Sequence, residues 1–138
     1  MGIRHDINLS FFDTWSDSMA YVLGYMYADG HILSSPIHRA HYVCFSSTDL
    51  ERIESIRVLL GSKHAVRCRR EENRKPLYQL RIGSKILYNQ MLKLGVSERK
   101  SLTMHFPSIP KTFKASFIRG YFDGDGCAFL EKGPAGRP

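Results

Sequence analysis

The chain predicts an α+β fold in the order helix, two strands, helix, two strands, helix, and then a further helix. Apolar residues recur at helical spacing in three stretches, each followed by a glycine. Between them lie strand-like runs in pairs, and each pair is joined by a short polar or Ser/Pro segment that reads as a hairpin turn. A chain of 138 residues is also long enough to bury one core without disulfide or metal staples, so one compact domain is the default.

Taken in order, Ser16 or Asp17 can cap a first helix over about 18–29, with Gly30 as its stop. Strand-like runs follow near 31–34 and 41–46. Over 48–60, Leu50, Ile53, Ile56 and Leu60 keep helical spacing, and Gly61 supplies a C-cap. The runs 64–70 and 77–82 form a second hairpin through the polar turn 71–76. Ile86, Leu87, Met91, Leu92 and Leu94 suit a helix over 84–94 that Gly95 ends. Pro107 and Pro110 mark an extended connector, and a last helix starts near Thr112.

Hydrophobic residues at 43% and charged residues at 24% are a globular composition. Cysteines at 44, 68 and 127 include no CxxC pair, which argues against a disulfide framework or a thiolate zinc site and suits a reducing cytoplasm. No apolar leader or membrane-length run is present, so a soluble protein without membrane partners is expected. The net charge of +7 is concentrated: residues 61–100 hold 11 basic and 3 acidic side chains, whereas residues 1–60 hold 4 and 7. Such a block attracts a polyanion, nucleic acid foremost, although a merely solvated basic surface would have the same composition.

The chain repeats itself. Residues 21–30, YVLGYMYADG, superpose on 117–126, FIRGYFDGDG, at a constant offset of 96, with identity at Gly24/Gly120, Tyr25/Tyr121, Asp29/Asp125 and Gly30/Gly126. Small residues also correspond: Ala20, Gly24 and Ala28 line one helix face, and Ser116, Gly120 and Gly124 line the other. Glycine inside a helix costs about 1 kcal/mol relative to alanine, and close backbone approach between the two helices would compensate for it. Packing along these stripes would bring Asp29 and Asp125 together at the same end, beside the negative poles of two helix dipoles. A divalent cation, best Mg²⁺, would relieve the repulsion, and a metal held against a phosphate supports phosphodiester cleavage. The bland alternative is two amphipathic helices with glycine-tolerant interfaces and exposed C-terminal aspartates.

The two motifs, above all FIRGYFDGDGC, resemble those of single-chain LAGLIDADG homing endonucleases, and residues 17–95 follow that family's order of elements. The stretch from Glu98 through Phe106 to Pro110 is similar to the family's connector into its second motif. The resemblance implies a LAGLIDADG fold with an antiparallel saddle-shaped sheet over double-stranded DNA. It also implies Asp29 and Asp125 as catalytic, metal-binding acids, and Lys100 as a basic residue near the cleavage site. Strand alternation then offers Arg67, Arg69, Gln79 and Arg81 as base-edge or phosphate contacts, with Lys63, Arg74 and Lys75 as backbone clamps.

Two departures from the family follow. Tyr27 stands where an acidic residue is common in the first motif, and only 12 residues follow Gly126. The chain divides into a first repeat with its DNA-binding saddle, 1–107, and a second motif helix with an incomplete repeat, 108–138. That suits a truncated or degenerate endonuclease, the N-terminal part of a longer one, or a homodimer through the motif helices. The competing function is a non-cleaving nucleic-acid binder, an RNA-splicing helper or DNA-binding regulator; an intron-encoded origin would make an organelle the alternative location.

Overall fold

The computed structural model describes residues 7–98 and 107–125. Its elements are α1 (Asp17–Asp29), β1 (His31–Ser35), β2 (Ala40–Ser47), α2 (Leu50–Leu59), β3 (Val66–Arg69), β4 (Leu77–Gly83), α3 (Lys85–Lys93), a short 3₁₀ turn (Lys111–Phe113) and α4 (Lys114–Gly124). The order is that expected from the sequence, with β3 two residues shorter at its start and one at its end.

Local chemistry sets the boundaries. Ser16, Asp49 and Ser84 each accept a hydrogen bond from a backbone N–H in the first turn of α1, α2 and α3. Both α2 and α3 end in Schellman motifs. Gly61, with φ of 65°, donates to Val58 while Ser62 donates to Arg57; Gly95, with φ of 96°, donates to Leu92 while Val96 donates to Met91. Gly30 ends α1 for a different reason than a left-handed cap, because its backbone is extended. A Cβ there would lie 2.6 Å from the Met26 sulfur and 2.9 Å from the Met26 Cα, so the position needs space rather than a positive φ.

The four strands form one antiparallel sheet in the order β1-β2-β4-β3, so the two hairpins join through their second strands. Register divides the side chains between two faces. Ile32, Val43, Phe45, Leu80 and Ile82 share the inner face and are buried against Leu23, Met26, Ile53, Ile56, Leu87 and Met91 from the first three helices. The opposite face carries no helix among the described residues, and it holds Arg67, Arg69, Gln79, Arg81, Tyr42 and His31.

Three tyrosines of α1 are set into this frame. Tyr25 donates to the Ser46 carbonyl at 3.0 Å, and Tyr27 to the Leu94 carbonyl at 2.6 Å. Burial pushes the hydroxyls of Tyr21, Tyr25 and Tyr27 from the ordinary 10.0 up to about 12. Each proton is therefore held more tightly in the folded state, so their contribution to stability is intact below pH 10 and disappears as pH approaches about 12. Urea midpoints should fall across that window in step with tyrosinate absorbance. A midpoint that stays level until every tyrosine has ionised would contradict these burial shifts.

Candidate DNA-cleavage site and nucleic-acid interface

α1 and α4 run parallel and touch along their small residues. A Cβ built on Gly24 would lie 2.1 Å from the Phe117 carbonyl oxygen, and one on Gly120 would lie 2.0 Å from that of Tyr21. At one end of the pair the Ser116 hydroxyl donates to Asp17 at 2.9 Å; at the other, a Cβ on Gly124 would be 2.9 Å from that of Ala28. Backbone meets backbone here, because any larger side chain would hold the helices apart.

The contacts exchange under the 96-residue offset. Gly24 against Phe117 becomes Gly120 against Tyr21, and the Tyr27–Phe117 ring contact at 5.7 Å becomes the contact between Asp123 and Tyr21. The helix pair thus has an approximate two-fold axis within one chain. Residues 28 and 124 meet across it, so Asp29 and Asp125 lie at the same end, that of the two negative helix poles. Asp29 is exposed and Asp125 half-buried. Because only Gly30 separates Asp29 from His31, the first open-face residue of β1, this end stands at the rim of the open sheet face. A homodimer through the motif helices would need the same stripes, which one chain already engages with each other.

The chemistry on the two sides of the axis differs. On one side Tyr27 and Phe117 pack as rings. On the other, Asp123 accepts from the Tyr21 hydroxyl at 2.6 Å and pairs with Arg52 of α2 at 2.8 Å, while Arg52 also lies 3.9 Å from Asp49. Arg52 compensates the third motif acid and ties α4 to α2 as well as α1. Asp123 is visible in the motif as an extra acid; nothing local in the sequence identifies Arg52 as its partner.

On the open sheet face, Arg67 sits opposite Gln79, which sits opposite Ser46, and Arg81 sits opposite Cys44, which sits opposite His31. Arg52, Arg57 and Arg74 are paired with carboxylates, whereas Arg67, Arg69 and Arg81 have no ion-pair partner among the described residues. Lys63, Arg74 and Lys75 are exposed, with Arg74 3.5 Å from Glu71. Lys100 lies outside the described residues, as do Gly126 and the residues that follow it. Just before the connector, Glu98 accepts from Ser34 at 2.9 Å and from the Tyr88 hydroxyl, whose ring meets His41. These bonds hold the Glu98 carboxyl below the usual carboxylate range, the Tyr88 hydroxyl being the largest cause.

No group of three or more His, Cys, Asp or Glu side chains suited to holding a metal occurs among the described residues. No helix among them is long and apolar enough to cross a membrane.

Comparison with known proteins is consistent with this geometry. The family described as LAGLIDADG-like domain matches residues 16–94, more than half of the chain. A subunit of the A-type ATP synthase of Methanopyrus kandleri is 26% identical over 106 residues, which is 77% of this chain and 10% of that protein. The chain therefore spans about a tenth of the length of that relative.

Proposed function

Because the chain belongs to the LAGLIDADG-like family, we propose that it is a sequence-specific DNA endonuclease of the homing type, which hydrolyses phosphodiester bonds with a divalent cation. The observation that carries the cleavage reading is the parallel contact of α1 and α4, which puts an aspartate from each motif at one end of the pair, at the rim of an open cationic sheet face. A pair of carboxylates suits Mg²⁺, which binds through one or two carboxylates and keeps places for water and phosphate. Asp29 and Asp125 would hold the ion. When bound, Mg²⁺ would polarise the scissile phosphate and favour ionisation of an attacking water.

The remaining tasks fall to the chain's own side chains. Arg67, Arg69, Gln79 and Arg81 would meet base edges or phosphates from the open face, and Lys63, Arg74 and Lys75 would clamp the flanking backbone. The two glycines set the spacing of the acids, and Lys100 is assigned a basic role beside the cleaved bond.

The test is selection of cleaved sites from a randomised duplex library with Mg²⁺. Recovery of a defined site supports the reading; salt-sensitive binding without any cutting would replace it with a non-cleaving nucleic-acid binder. The logarithm of the binding constant should fall linearly with the logarithm of salt concentration. Removing one phosphate-contacting cation, as in Lys63→Ala or Lys75→Ala, should lower that slope by about 1 without changing base preference. An unchanged slope would take those lysines out of the interface.

A further inference from the structure

Among the open-face cations, Arg81 is the one whose side chain is already held in place. Its guanidinium carbon lies 4.0 Å over the centroid of the Tyr42 ring. Both residues belong to the inner strands, with Tyr42 opposite Gly83 and Arg81 opposite Cys44, so they are diagonal neighbours on one face. Gly83 puts no side chain against the ring, and a Cβ there would lie 3.5 Å from the Tyr42 Cε1 atom. The Arg81 Nε is buried without a hydrogen-bond partner, and no carboxylate pairs with the guanidinium among the described residues. That leaves the two terminal nitrogens, one pair of donors in a fixed plane, for a ligand. The concavity around this stack is also lined by Arg67, Lys85, His38 and His64, a setting that attracts a polyanion.

We propose that Arg81 reads a guanine in the major groove of bound DNA through its terminal nitrogens, and that Tyr42 is the positioning residue that aims it. The proposal rests on the DNA-binding reading of the open sheet face. A phosphate contact needs charge and reach, which exposed Arg67 and Arg69 on the edge strand supply. Guanine O6 and N7 instead require two donors in one plane at fixed separation, and a stacked guanidinium meets that requirement without the ordering cost of a free side chain. Lysine provides the charge but not the paired donors.

The experiment is binding-site selection from a randomised duplex library for the parent, Arg81→Lys, Tyr42→Phe and Tyr42→Leu, with affinity measured against salt. The parent should select guanine at one position. Arg81→Lys should lose roughly tenfold or more of that preference while its salt slope stays the same. Tyr42→Phe, which keeps the ring, should retain the preference; Tyr42→Leu should weaken it at that position and no other. A parent that binds with defined specificity while Arg81→Lys selects the same bases at every position overturns the assignment and leaves the DNA reading standing. Loss of preference spread evenly over the site in Tyr42→Leu overturns the role of Tyr42. Absence of salt-sensitive DNA binding by the parent overturns the DNA reading, and this assignment with it.

Discussion

Asp29→Asn and Asp125→Asn are each expected to lower DNA cleavage by roughly a thousandfold or more while leaving DNA affinity nearly unchanged. Asparagine keeps the shape and one oxygen of the side chain but loses the charge that holds a cation. The open-face cations that would bind DNA belong to β3 and β4 rather than to the motif helices. A second readout sets this apart from simple damage. In the parent without metal, two carboxylates stand at the negative ends of two parallel helices, an unfavourable arrangement. Neutralising Asp125 should hold stability level or raise it by about 0.3–1 kcal/mol in metal-free buffer. A variant that loses activity together with several kcal/mol of stability would mean that the aspartates are structural, and the cleavage reading would fall.

Gly24→Ala and Gly120→Ala should each destabilise the fold by about 3 kcal/mol, measured by urea or guanidinium titration. At an ordinary helical position the same change would stabilise by about 1 kcal/mol, since alanine is the better helix former. The reversal of sign comes from the crossing. The added methyl would stand 2.1 Å or 2.0 Å from a carbonyl oxygen of the facing backbone, and neither helix can give way except by moving as a whole. Moving apart would uncover Phe117, which is 3% exposed, and would displace Asp125 relative to Asp29. A stabilised Gly120→Ala variant would show that the helices are not held together at this point.

The order of elements was legible because each boundary is chemically local. Ser16, Asp49 and Ser84 cap the residues next to them, and Gly61 and Gly95 take positive φ values wherever the rest of the chain lies. Strand alternation similarly sorted Arg67 with Arg69 and Gln79 with Arg81, since the two-residue period of a strand is a property of the backbone. The role of Gly30 was not legible, because its requirement comes from the packed Met26 side chain rather than from its own φ. Tyr27 is a comparable case: its place in the motif marks a departure from an acidic pattern, but only the fold shows it packed on Phe117 and donating to Leu94.

By itself the sequence determined the alternation of helices and hairpins, the repeated glycine-and-aspartate motif and the concentration of positive charge, all properties of neighbouring residues or of composition. The tertiary structure decided what required distant parts of the chain to meet: the pairing of β2 with β4, the contact of α1 with α4 inside a single chain, the capture of Asp123 by Arg52 and Tyr21, and the stacking of Arg81 on Tyr42. The physical reason is that caps, turns and periodicity act over a few residues, whereas partner choice among distant groups depends on which surfaces burial brings together.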